Sequence, residues 1–395
     1  MTATAAGAVR WLAAQPPLDG VLARMAVTEP VQALGNYILG TPEVTPDTLL
    51  AGILGVFIAY LLVLSMVPKG RLSMWGFIYF FLSADKKCRK PDDAHPDVNA
   101  PSCKRMKVVF IRHGQSEWNA VFNEGSKLLL PVRLVKALIQ EAMMFFDQDS
   151  LFIDSPLDEV GIRQAWQLMT FIASQPAREL DKETAAKPAR DLEVADIVSI
   201  IRGDSGESIV VSSILRRAIS TGFIALSPRL LKTPQAKDKV QLMTMLQEIS
   251  RNVDTLALTP AKKMPLIPAG EAKLKHIGDL LSHFYRTRFD VRKNDGNKRL
   301  NQKAIRRHEA FVKWMLEQKT DCIIVLGHSL WFREFFKSFL PKASNHPAKS
   351  KKMVNCGVVA FDFYKDSKNV HRIPPESIKE VYGGFEEKSK KSKKK

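Results

Sequence analysis

The stretch KVVFIRHGQSEWN, residues 107–119, decides the fold class. Its apolar run ends abruptly in Arg112, His113 and Gly114, so a buried strand delivers two cationic or titratable side chains to its carboxyl end. In an open α/β sheet, ligands bind beyond the carboxyl ends of the strands. An arginine beside a histidine is unfavourable there unless an anion offsets the charge. The stretch therefore predicts a sheet with an anion site at its edge.

Two further apolar runs end in a similar way. The predicted strand Ser208–Ser213 leads into Arg216 and Arg217, and a strand at residues 322–326 leads to His328. Because parallel strands share one carboxyl edge, we expect both histidines and at least two arginines to meet there. The planar fork of arginine matches phosphate oxygens and keeps its charge at any relevant pH. Without acidic metal ligands, this set predicts an oxyanion cage, with no metal and no cofactor.

The remaining pattern gives the architecture. Apolar strands alternate with helical periodicity, which is typical of a doubly wound, mostly parallel α/β sheet with helices on both faces. A last strand is predicted at residues 358–363. Helices are predicted at residues 157–173, 217–226, 270–288, 304–318 and 330–340.

Residues 48–67 form a separate apolar segment without a charge. At about 1.5 Å per residue, a helix of this length crosses a hydrocarbon core of about 30 Å. We interpret it as an N-terminal transmembrane helix; a buried core helix or a signal-peptide core is the alternative. Six cations follow within residues 69–90, so the positive-inside rule predicts a single-pass protein whose larger part is cytosolic.

The net charge of +18 indicates an anionic partner. No nucleic-acid-binding motif is recognised, so we expect a phosphorylated substrate, an anionic membrane leaflet beside the basic segments, and no nucleic acid. Small residues at four-residue spacing, Ala51, Gly55 and Ala59, predict a homodimer through the transmembrane helix. The C-terminal KSKKK resembles a dilysine retrieval signal, which indicates the endoplasmic reticulum, with other organelle membranes left open.

Five segments, in order, resemble the histidine phosphatase superfamily, which includes cofactor-dependent phosphoglycerate mutases and many phosphatases. They are IRHGQSEWN, DSPLDEVGIRQA, SSILRRAIST, VLGHSLWFREF and VNCGVVAFDF, and together they span most of residues 107–363. The resemblance implies a phosphoglycerate mutase-like fold. It also implies metal-independent hydrolysis of phosphomonoesters through a phosphohistidine intermediate.

The resemblance assigns roles residue by residue. His113 takes the place of the phosphohistidine nucleophile, and Arg112 that of the phosphate clamp beside it. The second clamp falls on Arg217, with Arg216 as the alternative one position earlier. His328 takes the place of the second histidine, which stabilises charge on the transferring group.

The sequence identifies the general acid less clearly than it identifies the histidines and arginines. The resemblance implies a carboxylate between the second arginine and the second histidine, and LQEISRN offers Glu248. Glu271 and Asp254 are the replacements that the sequence leaves open. Asn119 matches a polar residue that contacts bound phosphate, although a turn or cap position explains it equally well.

Departures from the superfamily pattern bear on the reaction. The segment ISRNVDT lacks the Glu-Arg-His-Tyr-Gly run of the mutases, which favours a phosphatase over a mutase-like phosphotransferase. A catalytically weak scaffold that binds phosphate is the other alternative. An insertion at residues 125–146 predicts an amphipathic helix that packs against the domain, or touches anionic lipid through Lys127, Arg133 and Lys136.

These features divide the chain into five parts. They are residues 1–47 without an assignable fold, the transmembrane helix at 48–67, an interfacial segment and linker at 68–105, the histidine phosphatase-like catalytic domain at 106–372, and a basic disordered tail at 373–395.

Overall fold

The computed structural model describes residues 46–85, 103–235 and 238–387. The chain forms two compact units, Met1–Gly70 and Arg71–Lys395. Residues 1–45, the linker residues 86–102 and the basic run 388–395, with its KSKKK, lie outside the described residues.

The described part of the first unit is essentially one helix. Helix α1, Pro46–Met66, covers nearly all of the segment predicted at residues 48–67. Its window Leu49–Met66 has a mean hydropathy of 2.5, so the helix is long and apolar enough to cross a membrane by length and composition. The core helix of a soluble protein and a signal sequence meet the same criterion.

The second unit is built around a sheet that has eight strands within the described ranges. The strands are β1 Lys104–Arg112, β2 Ser208–Ser213, β3 Val240–Met243, β4 Phe289–Asp290, β5 Cys322–Gly327, β6 Val358–Lys365, β7 His371–Arg372 and β8 Lys379–Tyr382. Their order is β4-β3-β2-β5-β1-β6-β7, and β8 also pairs with β6. The strands from β4 to β1 run parallel, whereas β6 is antiparallel to β1, β7 and β8. The predicted mostly parallel α/β sheet is confirmed.

The helices that follow α1 are α2 Pro68–Leu82, α3 Glu117–Phe122, α4 Leu130–Met143, α5 Glu159–Ser174, α6 Lys182–Ala185, α7 Val194–Arg202, α8 Arg216–Ala225, α9 Ser227–Lys232, α10 Ala269–Ala272, α11 Ile277–Thr287, α12 Ala304–Glu317 and α13 Ser329–Phe339. One predicted helix is wrong: residues 270–288 form α10 and α11 rather than a continuous helix. Residues 273–276 separate them: α10 ends at Ala272, and His276, with φ of 64° and ψ of −44°, lies outside helical geometry directly before α11.

Helices cover both faces of the sheet, as predicted. Alternate residues of β1 point to opposite faces and enter two separate cores. Val109 and Ile111 join one core with residues of α5, α7 and α8. Val108 and Phe110 join the other with residues of α12 and α13, where the ring of Phe110 stacks on Phe332 with centroids 4.1 Å apart.

The second unit extends beyond both predicted boundaries of the catalytic domain. On the N-terminal side it includes residues 71–85, in which Tyr79 and Asp85 are buried, where the sequence predicts an interfacial segment and linker. On the C-terminal side, β8 pairs with β6 and Phe385 packs against Phe336, where the sequence predicts a disordered tail. β8 is too short to stand out in the sequence, whereas the apolar and aromatic residues 72–82 fit a membrane interface as well as they fit a packed helix, so only their burial in the second unit distinguishes the two.

Candidate active site

Strand register brings the two predicted histidines together. β1 and β5 are adjacent and parallel, with Arg112 opposite Gly327. The amide of His113 donates a hydrogen bond to the carbonyl of Gly327 at 3.0 Å, so His113 and His328 leave neighbouring strands at the same level. Their ring centroids lie 5.0 Å apart.

A cavity of about 660 Å³ lies at this edge of the sheet. Five of the predicted site residues line it: Arg112, His113, Asn119, Arg217 and Glu248. His328 is fully buried and lies beside His113, outside the lining of the cavity.

The tautomer of His113 follows from one hydrogen bond. Its Nδ1 atom lies 2.5 Å from the carbonyl oxygen of Gly114, and a carbonyl only accepts. Nδ1 therefore carries the proton, and Nε2 keeps its lone pair. Burial, followed by the charges of Arg217 and Arg112, holds the pKa of His113 well below its ordinary value. The ring is neutral at neutral pH and able to act as a nucleophile.

The two predicted clamps are held in different ways. Arg112 donates through Nη1 to the carbonyl of Met353, and the same atom lies 3.2 Å from Glu386 Oε1. Arg217 donates through Nη1 to the carbonyl of Asp254 at 2.8 Å, and its Nη2 lies 3.2 Å from Asp254 Oδ2. Both guanidinium groups are buried at the cavity, so they supply positive charge in a region of low dielectric.

Arg216, the alternative clamp, has another position. Its Nη1 atom lies 2.7 Å from Asp149 Oδ1, its Nε lies 3.6 Å from Asp154 Oδ2, and it also donates to the carbonyl of Ser150. It does not line the cavity. Neighbouring residues of a helix point about 100° apart, which explains why Arg217 reaches the cavity and Arg216 does not.

Glu248 is fixed against the helix that follows His328. Its Oε1 accepts from the amides of Trp331 and Ile249, each at 2.8 Å, and its Oε2 accepts from the amide of Leu330 at 3.2 Å. The start of α13 thus orients this carboxylate at the cavity.

The two replacement acids differ in position. Asp254 lines the cavity, and burial, reinforced by the charge of Glu248, raises its pKa to about 6. Its Oδ1 atom has no hydrogen-bond partner among the described residues. Glu271 does not line the cavity; it accepts from the hydroxyl of Ser220, and burial raises its pKa to about 7. The geometry leaves Glu248 and Asp254 as acids within the site.

Asn119 lies in the first turn of α3 and lines the cavity. Its amide donates to the N-cap hydroxyl of Ser116 at 3.4 Å, and its side-chain oxygen accepts from Asn123. The residue therefore takes part in the helix start and also faces the space where phosphate is expected.

The other motif residues shape the turn around His113. A Cβ atom on Gly114 would lie 2.6 Å from the carbonyl oxygen of Gly161, so this backbone contact requires glycine. The amide of Gly114 donates to Thr221 Oγ1 at 3.0 Å, and that of Gln115 donates to Gln164 Oε1 at 2.9 Å. These residues stabilise the loop that presents His113.

Sequence reasoning missed several residues of the site. Ser213 Oγ lies 2.8 Å from His328 Nε2, and its position at the end of β2 is a signal that was available. Lys352, Asn355 and Glu386 also line the cavity. Asn355 lies in the segment VNCGVVAFDF, where its polar side chain before a strand was an available signal, whereas Lys352 lies outside the five quoted segments and Glu386 lies in the predicted tail, and neither has a local signal.

Comparisons with known proteins find structural similarity only at a low level. Neither a family profile nor a curated protein sequence matches the chain. A mycobacterial glucosyl-3-phosphoglycerate phosphatase has 14% identity and a TM-score of 0.32, covering 68% of this chain and 97% of that one. A phosphoserine phosphatase from Entamoeba histolytica, in complex with 3-phosphoglyceric acid, has 11% identity and a TM-score of 0.30, covering 72% and 98%. Similarity this weak does not assign a function to the chain. A function therefore has to be inferred from the residues of the cavity.

Proposed function

We propose that this chain is a metal-independent phosphatase that hydrolyses phosphomonoesters through a phosphohistidine on His113. The observation that carries the proposal is the neutral ring of His113, protonated on Nδ1, in a cavity that two arginine side chains also line. Such a cavity attracts a tetrahedral dianion and presents it to the lone pair on Nε2.

In the first step, Arg112 and Arg217 bind the non-bridging oxygens of the phosphoryl group. The Nε2 lone pair of His113 attacks phosphorus, the P–O ester bond breaks, and the leaving oxygen takes a proton from a carboxyl group. His328, beside the nucleophile, stabilises the charge that develops on the transferring group. The products are a free alcohol and a phosphohistidine.

In the second step, water attacks the phosphohistidine. The carboxylate that lost its proton now removes one from the water, and the N–P bond breaks. Inorganic phosphate leaves, and His113 is neutral again. One carboxyl group therefore serves first as acid and then as base.

We assign that carboxyl group to Glu248, which the start of α13 orients at the cavity. Asp254 is the second candidate, because its pKa of about 6 allows it to hold a proton near neutral pH and one of its oxygens is unpaired among the described residues. Glu248→Gln and Asp254→Asn separate them: the variant that forms the phosphohistidine slowly from a substrate with a poor leaving group, but at the wild-type rate from p-nitrophenyl phosphate, identifies the proton donor.

Release of inorganic phosphate from a panel of phosphomonoesters tests the reaction class. Phosphoproteins, sugar phosphates, inositol phosphates and lipid phosphates all suit the same cage. A mutase-like phosphotransferase would return the phosphoryl group to a second substrate, and a scaffold would bind phosphate without turnover. Phosphate release that disappears in His113→Ala supports the phosphatase.

We also propose that the protein is tethered to a membrane by α1, with the second unit cytosolic. The charge asymmetry around α1 and its hydropathy support this assignment. Endoplasmic reticulum residence and pairing through Ala51, Gly55 and Ala59 remain parts of the same proposal. Protease protection of an epitope on either side of α1 in sealed microsomes tests the orientation.

The exposed apolar surface of α4 is consistent with a contact between this helix and the membrane leaflet. Within α4 only Ala137 is buried, whereas Val132 and Ile139 are 66% and 58% exposed. Lys127 and Lys136 are exposed on the same insertion, so an apolar surface with cations fits an anionic leaflet. A spin label on Ile139→Cys should lose access to a water-soluble relaxant in phosphatidylserine vesicles but not in detergent, and a label on Asp279→Cys should not.

A further inference from the structure

A buried ion cluster lies outside the cavity. The side chains of Asp85, Lys298 and Arg307 are each 0% exposed. Lys298 Nζ lies 2.6 Å from Asp85 Oδ2, and Arg307 Nη2 donates to both oxygens of that carboxylate at 3.0 Å. Burial lowers the pKa of Lys298 to about 8, and the charge of Asp85 opposes this effect. Asp85 is therefore the counter-ion of two buried cations, whose burial is costly without a negative charge beside them.

Both cations also hold the backbone that carries Glu248. Lys298 donates to the carbonyl oxygens of Glu248 itself and of Ser250. Arg307 donates to the carbonyl oxygen of Gln247. The backbone on each side of the proposed acid is therefore fixed by groups whose charge Asp85 balances.

Helix α2 packs on the next part of the same loop. A Cβ atom on Gly76 would lie 2.7 Å from Val253 Cγ2, so the helix and the loop are in direct contact. Arg251 Nη2 donates to the carbonyl of Ser83 at 2.9 Å. The loop that contains both candidate acids is thus held by Lys298 and Arg307 and by residues 71–85.

We propose that Asp85 is a positioning residue for the active site: through Lys298 and Arg307 it holds Glu248 at the cavity. Residues 71–85, which directly follow the proposed membrane tether in sequence, thereby become part of the catalytic unit. The inference rests on the proposed phosphatase function, in which Glu248 moves the proton.

Asp85→Asn in the full-length chain tests this role, because it removes the charge and keeps the size. With p-nitrophenyl phosphate as the probe, we expect kcat to fall by about 10²-fold, as for a displaced catalytic group. Inhibition by inorganic phosphate should change much less than kcat, because Arg112 is carried by β1 and Arg217 by α8, and only the contact of Arg217 with Asp254 involves the loop. Asp279→Asn, the same change at an exposed position of α11, is the control and should match the wild type.

A second variant tests the same loop in case Asp85→Asn does not fold. Gly76→Leu pushes α2 away from Val253 without leaving a buried charge, and it should also lower kcat. In both variants, amide hydrogen exchange of residues 245–255 should become faster. This readout does not depend on turnover, so it tests the inference even if the wild type hydrolyses no phosphomonoester and the phosphatase proposal fails.

The outcomes are distinguishable. Folded variants with wild-type kcat and wild-type exchange would overturn the positioning role. Equal loss of phosphate inhibition and kcat in a folded variant would also contradict it, since that pattern indicates damage to the whole site. If Asp85→Asn does not fold, the result for Gly76→Leu decides.

Discussion

The imidazole rings of His113 and His328 lie 5.0 Å apart, with their planes inclined by 60°. The pKa values of both rings are held well below the ordinary value, chiefly by burial and then by the charge of Arg217. Both rings are therefore neutral at neutral pH. A neutral pair allows one ring to attack phosphorus while the other stabilises the developing charge.

We expect His328→Ala to lower kcat by about 10²-fold, because it removes stabilisation that exists mainly in the transition state. The inhibition constant of inorganic phosphate should change much less. Steady-state kinetics with a single phosphomonoester gives both numbers. A variant that loses phosphate binding and retains kcat would show that His328 acts in binding instead.

The two adjacent arginines should respond differently to replacement. Arg217→Ala should weaken inhibition by inorganic phosphate at least about tenfold, since it removes a charged donor to the anion. Arg216→Ala should lower the free energy of unfolding by about 3–5 kcal/mol, because it leaves Asp149 and Asp154 without their buried partner. Phosphate inhibition and chemical denaturation of both variants check this pair, and the reverse pattern would exchange their roles.

The pH dependence of kcat/KM should show an acidic optimum if Asp254, the second candidate, is the proton donor. The nucleophile must be neutral, and the lowered pKa of His113 keeps it so well below pH 6.5. If Asp254 donates the proton, activity falls as the pH rises through about 6, where this carboxyl loses its proton. Asp254→Asn would then remove that limb of the profile. A limb that persists in Asp254→Asn would show that Asp254 is not the donor, and activity that rises from pH 6 to about 8 would contradict a nucleophile that is already neutral at pH 6.

Most of the site residues that the sequence predicted lie just after the carboxyl end of a strand. His113 and His328 follow β1 and β5, and the parallel register of those strands brings them together. Arg217 follows from its place in SSILRRAIST, one of the segments that resemble the superfamily. The register also explains why a short local pattern was sufficient, since each strand delivers its final residues to a common edge.

Other features depend on contacts distant in sequence. Nothing near Asp85 indicates that it meets Lys298 and Arg307, more than 200 residues away. The raised pKa of Asp254 comes from burial, which the local sequence does not encode. The break at His276 replaces helical periodicity that continues through residues 270–288. Tertiary packing decided each of these points.

The aromatic core behind the site should be sensitive to truncation. Phe110 is fully buried and lies against Phe332 and Phe361, so Phe110→Ala should cost about 3–5 kcal/mol of unfolding free energy. Phe146→Ala, at a residue 83% exposed, is the matched control and should cost little. Denaturant titration followed by tryptophan fluorescence measures both. Equal costs would mean that the core is assigned wrongly.

Rapid quenching during turnover, followed by mass spectrometry under conditions that preserve phosphohistidine, tests the central claim most directly. The proposed mechanism predicts a phosphoryl group on His113 that forms and decays at rates compatible with kcat, accumulates in Glu248→Gln if that residue activates water, and is absent from His113→Ala. Turnover of phosphomonoesters with no phosphoryl group on residue 113, or full activity in His113→Ala, would contradict it.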